Sequence, residues 1–144
     1  MTTVNESLAA WHQMVGTGDL SNLSSIVHPD AVFRSPVAFT PYHSAQALIL
    51  ALSTVTKVFE NFAYHRQFAD LGGLNIVLEF SATVRGKQLK GVDLIRFNED
   101  GKIVEFEVMI RPMSGLQALA TEMSARLSGS LPAFKAATPA EPRP

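Results

Sequence analysis

The stretch that decides the fold is Lys90–Ile110, KGVDLIRFNEDGKIVEFEVMI. Apolar and polar side chains alternate on both sides of Asn98–Gly101, whose Asp-Gly pair is a hairpin signal, so it reads as two antiparallel strands. On the first, Leu89, Gly91, Asp93, Ile95 and Phe97 share a face. On the second, Val104, Phe106, Val108 and Ile110 alternate with Glu105 and Glu107. Asp93 is the odd member of an otherwise apolar face. A buried carboxylate without a partner costs several kcal/mol or shifts its pKa until it is neutral. Asp93 is therefore either a paired structural residue or a working one.

Upstream, the same period of two runs back to Asn61. One strand sets Phe62, Tyr64, Arg66 and Phe68 against Ala63, His65 and Gln67. The next sets Leu74, Ile76, Leu78, Phe80, Ala82 and Val84 against Asn75, Glu79, Ser81 and Thr83. With short turns at ADLGG and RGK these four strands form an antiparallel meander. Before Asn61 the period is helical. TVNE at Thr3–Glu6 fits a capping box, and Val4, Leu8, Trp11 and Val15 follow at helical spacing up to Gly16 and Gly18. Asp19 caps a second short helix with Leu20, Leu23, Ile26 and Val27, stopped by Pro29. AVFRSPV is a short extended segment, PVAFTPYHS a loop, and Ser44 starts a helix over about 45–59. After the meander, Ser114 and Gln117 suggest another capping box, opening a helix with Leu116, Leu119, Ala120, Met123 and Leu127 on one stripe. The chain is read as one domain over 1–128 and a mobile Pro/Ala-rich tail over 129–144.

Composition excludes several function classes. Twelve Lys plus Arg against thirteen Asp plus Glu, without a long charged run, lack the footprint of a nucleic-acid-binding protein. The absence of cysteine removes disulfides, thiolate zinc sites and cysteine nucleophiles. The N-terminus lacks the basic start and apolar core of a secretory signal, and no apolar run is long enough to span a bilayer, so a cytoplasmic protein is expected. No Gly-rich phosphate loop is present, the four histidines lack the spacing of a helical metal pair, and neither cofactor nor metal is expected.

GDLSNLSSIVHPDAVFRSPV, followed by a helix and then VDLIRFNEDGKIVEFEV, resembles the nuclear-transport-factor-2-like superfamily, which includes ketosteroid isomerases and SnoaL-like polyketide cyclases. The resemblance covers about Val4 to Pro112. It implies an α+β, cystatin-like cone in which helices cover the concave face of a curved antiparallel sheet and enclose a mostly apolar pocket. It also implies dimers in many members. Residue by residue, Asp93 matches the isomerases' protonated oxyanion-hole aspartate. Their general-base aspartate falls on Ser35 and their oxyanion tyrosine on Trp11. A serine hydroxyl is too weak a base to remove a carbon-bound proton unaided, and indole is far less acidic than phenol.

Loop lengths give a provisional register. Four-residue loops at Arg85–Gln88 and Asn98–Gly101 place Asp93 between Phe80 and Phe106, with Phe62 in the same row. Arg66, the other charged residue of that face, then lies about 16 Å away. The alternatives for Asp93 are an oxyanion donor or proton shuttle, and a structural carboxylate bonded to Trp11, a hydroxyl, a water or Arg34. His12, beside Trp11, is the candidate base, against a plain surface histidine. His65 faces outward, His28 precedes a proline, and His43 and Tyr42 sit on the loop that rims the expected pocket. Trp11, Phe33, Ser35, Tyr42, Phe80, Phe106 and Val108 are the candidate ligand contacts, although Trp11 also reads as plain core. Arg111 points away from the pocket, toward Glu105 or Glu107. Val77, Val92, Leu94 and Met109 form an apolar patch on the convex face, where a homodimer is expected. Two function classes remain. One is a cofactor-independent isomerase, cyclase or dehydratase acting on a small apolar carbonyl compound, and the other a small-ligand-binding or association module.

Overall fold

The structure, a computed structural model, describes residues 2–127; the segment expected as a tail lies outside the described residues. Helix α1 (Val4–Thr17) opens with the expected capping box between Thr3 and Glu6, and Gly18 closes it in the left-handed conformation at φ 75°. Strand β1 (Val27–Arg34) follows a single 3-10 turn, Leu23–Ile26. Helix α2 (Ala45–Val58) is capped by the Ser44 side chain, which accepts from Ala47 N. Then come β2 (Glu60–Ala69), β3 (Asn75–Val84), β4 (Lys87–Phe97), β5 (Ile103–Arg111) and helix α3 (Met113–Leu127). Sheet order is β1-β5-β4-β3-β2, with β1 parallel to β5 and the other pairs antiparallel. Three helices thus pack on a five-stranded, curved and unclosed sheet.

Two elements differ from expectation. The second helix is reduced to the 3-10 turn: Asp19 accepts from Ser21 N in a local turn, and Val27, expected on the helix, pairs with Ile103 as the first residue of β1. Pro29 lies inside that strand, tolerated because β1 is an edge, at the cost of a shifted register between Val27 and Val32. Helix α3 begins at Met113, so Ser114 sits within its first turn instead of capping it.

The meander forms, but its register differs from the loop-length estimate. Arg85 and Gly86 alone make the β3–β4 turn, at φ 50° and 75°, and Val84 pairs with Lys87. This two-residue turn, of the kind whose backbone twist matches that of the strands, shifts the pairing by two residues. Phe80 consequently lies opposite Gly91, and Asp93 lies between Leu78 and Val108. The expected row of three phenylalanines does not form. Between β4 and β5, Arg96 pairs with Glu105 and Phe97 with Ile103, leaving Val104 as an extra residue.

A second irregularity resets β2. Tyr64 pairs with Phe80 but Gln67 with Leu78, so His65 and Arg66 together face the single residue Glu79. The bulge sends Arg66 to the convex face, where its guanidinium holds the Glu79 carboxylate by two hydrogen bonds, the Nε one at 2.8 Å. Phe68, expected inward, is turned out and 52% exposed. His65 faces outward onto the Ser81 hydroxyl.

The core has two parts. The larger joins α1, α2 and β1 to the sheet through Leu8, Trp11, Leu48, Phe97 and Phe106, and the smaller gathers Phe80, Val84, Leu89 and Leu119 beneath α3. Val55, Tyr64 and Val108 border both. A cavity lined by residues of both parts lies at that seam.

Candidate functional site

The cavity has a volume of about 250 Å³. Its floor is the concave face of the sheet at Phe62, Tyr64, Asp93, Val108 and Ile110. Helix α1 contributes Trp11 and Val15, α2 contributes Ala51, Leu52, Val55 and Thr56, and α3 contributes Leu119, Ala120, Met123 and Leu127. Phe33, Ser35, Pro36, Val37 and Tyr42 form the side given by the end of β1 and its loop. That loop is pinned to the strand by reciprocal backbone hydrogen bonds between Phe33 and Tyr42, at 3.0 and 2.9 Å.

Among the described residues, Asp93 is the one carboxylate in this lining, and no Lys, Arg or His side chain accompanies it. The Tyr64 hydroxyl donates to its Oδ2 at 2.6 Å, and the Trp11 Nε1 proton is donated in turn to the Tyr64 oxygen at 3.0 Å. Among the described residues no side-chain polar atom sealed from solvent lacks a partner, and Asp93 Oδ1 makes no hydrogen bond with them, so Oδ1 is the oxygen turned to the cavity. Burial pushes the carboxyl up to about 7, with the Tyr64 hydrogen bond opposing the rise. The Tyr64 phenol is driven far above its ordinary value by burial, then by the negative charge of Asp93 and by its donation to it. Asp93 can therefore hold or release a proton near neutrality, whereas Tyr64 stays a neutral donor.

Of the residues singled out in the sequence, Asp93, Trp11, Phe33, Ser35, Tyr42 and Val108 line the cavity. Phe80 and Phe106 do not. Phe80 is sealed against Phe59 and Phe62, and Phe106 takes the Trp11 ring edge at 5.3 Å between centroids. Each is 1% exposed or less, because the register moves both away from Asp93. His12 also stands outside the lining: its Nε2 lies 3.1 Å from Gln67 Oε1 and its ring meets Tyr64 edge-on. Ser35 Oγ accepts from Val37 N, which fits a turn residue more than a base. Of the partners considered for Asp93, Arg34 does not take the role: it pairs with Glu105, which also receives Arg96.

Tyr64 is the residue that sequence reasoning missed. Its signal was present, since a tyrosine on an inward strand face needs a partner for its hydroxyl. The two-residue error in register hid that partner.

The fold and site define the class: an α+β, cystatin-like cone whose cavity is lined in part by a buried acid. A family model described as a SnoaL-like domain matches residues 8–106, and the chain belongs to that family. It is similar to the crystal structure of a steroid delta-isomerase from Pseudomonas aeruginosa, at 55% identity and TM-score 0.86 over 90% of this chain and 94% of that one. A protein with a cystatin-like fold from Silicibacter pomeroyi shares 31% identity at TM-score 0.80, over 90% of each chain. A nuclear-transport-factor-2-like protein from Mesorhizobium loti, 18% identical at TM-score 0.67 over 76% of this chain and 91% of that one, shares the fold. No curated protein matches the chain.

Proposed function

We propose that the cavity takes a small, neutral, apolar carbonyl compound and that Asp93 moves a proton on it, in isomerase, cyclase or dehydratase chemistry without a cofactor. The observation that carries this reading is the division of labour within one carboxyl: Tyr64 holds Oδ2 while Oδ1 opens to an apolar chamber. In its protonated form Oδ1 holds the ligand by donating to the carbonyl oxygen. Ionised, the same oxygen takes a proton from the carbon next to the carbonyl, and the carboxylic acid so formed donates that proton to the enolate oxygen or back to carbon, which regenerates the carboxylate; a pKa close to 7 suits both directions of transfer. The 55% identical steroid delta-isomerase supports this chemistry. The turn hydrogen bond that occupies Ser35 and the position of His12 outside the lining support giving both halves of the proton transfer to Asp93.

The test is exchange of the α-protons of cyclohexyl methyl ketone in deuterated buffer, followed by proton NMR. Exchange accelerated by the protein and abolished in Asp93→Asn supports the reading. Binding of the ketone with no accelerated exchange leaves a small-ligand-binding module.

For assembly, we propose a homodimer through the convex face. Phe68 and Met109 are 52% and 50% exposed there, beside the partly buried Val77, Val92 and Leu94. A second copy of this face, with the Arg66–Glu79–Lys90 charges at its side, is the self-complementary cover that two-fold symmetry requires. Light scattering should return a dimer mass for the wild type and a monomer for Met109→Glu; a wild-type monomer at micromolar concentration refutes the proposal.

A further inference from the structure

The cavity's polarity is one-sided in a way that the carbonyl reading does not use. Among the described residues six aromatic rings line it, those of Trp11, Phe33, Tyr42, Phe59, Phe62 and Tyr64, and the single carboxyl has no cation opposite. The groups that face Asp93 are known from every packed element. Tyr64 of β2 donates to it, Trp11 of α1 acts through Tyr64, Leu78 of β3 and Val108 of β5 flank it, and the described α2 and α3 residues of the lining carry no charge. The end of β1 and its loop give the lining Ser35 and the neutral Tyr42 phenol, which burial pushes up. His12 lies outside the lining, with its ring edge-on to Tyr64 and its Nε2 on Gln67.

The geometry points to a second ligand class for this chamber: small lipophilic primary amines, bound as ammonium ions with one N–H donated to Asp93 Oδ1 and the remaining charge over the aromatic rings. Two physical arguments carry this. A carboxylate already stripped of water by the fold is unfavourable when ionised, and a cation seated beside it offsets a desolvation penalty the protein has incurred before the ligand arrives. Aromatic faces add attraction for the same cation, and more so in a desolvated site. An anionic ligand meets the opposite situation, since none of the described lining residues carries a cation to neutralise it. The inference rests on the cavity being a ligand site, but not on any reaction taking place there.

The pH dependence separates the two ligand classes. Ammonium binding needs the ionised acid and so strengthens as pH rises through about 7, whereas a carbonyl acceptor needs the protonated acid and weakens over the same range. The experiment measures binding of cyclohexylmethylamine, cyclohexylmethanol and cyclohexyl methyl ketone by calorimetry, supported by quenching of the single tryptophan, Trp11. A carboxyl titrating near 7 is about 30-fold more ionised at about pH 8.5 than at about pH 5.5, which sets the expected gain in amine affinity. The amine should also bind at least about tenfold more tightly than the isosteric alcohol at the alkaline end. An amine no tighter than the alcohol, or an affinity flat in pH, overturns the inference. Ketone binding favoured by acid with no amine binding overturns it while leaving the carbonyl reading standing. Alkaline-favoured amine binding without ketone binding supports it and removes the carbonyl reading. Binding of none of the three removes both. The wild-type pH comparison needs no variant, and Asp93→Asn, if folded, should lose the amine preference.

Discussion

Tyr64 Oη lies 2.6 Å from Asp93 Oδ2, and its proton has nowhere else to go. Trp11 Nε1 can only donate, and it donates to the same phenolic oxygen at 3.0 Å, so the hydroxyl hydrogen is directed at the carboxyl. The chain Trp11–Tyr64–Asp93 thus has one polarity. It stabilises the carboxylate against the burial that disfavours it, and the two opposing effects leave the group near neutrality. Removing the donor should let burial act unopposed. In Tyr64→Phe the Asp93 carboxyl is expected to titrate above its wild-type value of about 7, followed by carbon-13 NMR of the labelled side chain. Trp11→Phe should move it the same way by less, because it only weakens the donor. A fall in either variant contradicts the chain.

The raised acid has a consequence for stability. Its folded value near 7 exceeds the unfolded reference of about 3.9, so the unfolded state releases the proton first as pH rises. The favourable state of this group is present below the unfolded value and is lost progressively up to about 7. Above that the wild type carries a penalty with an upper bound of about 4 kcal/mol, from about 3 pKa units at 1.36 kcal/mol each. Asp93→Asn keeps the size and polarity but cannot ionise. Urea unfolding should find it more stable than the wild type near pH 8, by about 1–3 kcal/mol after relaxation, with the difference shrinking toward pH 4. A variant equally stable at both ends would mean that Asp93 does not titrate between them.

Much of the architecture was legible in local pattern. The alternation of Ile76, Leu78, Phe80, Ala82 and Val84 and the Thr3–Glu6 capping box belong to short windows, where propensity and packing agree. Asp93 stood out for the same reason. What could not be read was long-range register. Arg85 in a left-handed conformation makes a two-residue turn with Gly86 where four residues had seemed necessary, and nothing local distinguishes the two. The bulge at His65 and Arg66 is likewise set by a partner strand, since Glu79 draws the guanidinium to the convex face. Tyr64 therefore went unrecognised as the partner of Asp93, although both residues were assigned to the inward face.

Glu79 makes a contrasting prediction. Arg66 holds it by two hydrogen bonds and Lys90 lies at 3.3 Å, and these cations outweigh the cost of burial and bring its carboxyl down to about 2. Its stabilisation is present above the ordinary glutamate range and is lost as pH falls toward 2. Glu79→Gln should therefore be less stable than the wild type at pH 7 and nearly equal to it at pH 2. Thermal melts across that range should show the two curves converging. Asp93→Asn and Glu79→Gln thus have opposite signs at neutral pH, although both remove one carboxylate from the same sheet.

Gly91 is the position where the sheet leaves room for this arrangement. It pairs with Phe80 on one side and Ile110 on the other, two residues from Asp93 on the same face. A Cβ added there would stand 2.4 Å from the Met109 carbonyl oxygen, 2.7 Å from Phe80 Cζ and 2.9 Å from the Ile110 side chain. A side-chain atom could yield, but the Met109 carbonyl belongs to the β5 backbone and cannot move without disturbing the β4–β5 ladder. Overpacking of this kind costs about 1–3 kcal/mol. Phe80 would be displaced toward Tyr64, whose ring it meets edge-on at 6.4 Å, so the strain should reach the hydroxyl bound to Asp93. Gly91→Ala is accordingly expected to lower the urea midpoint and also to alter the Asp93 titration, although residue 91 touches neither proton. A variant that loses stability while the Asp93 titration stays at its wild-type position would show that the Tyr64–Asp93 pair does not depend on how Phe80 packs.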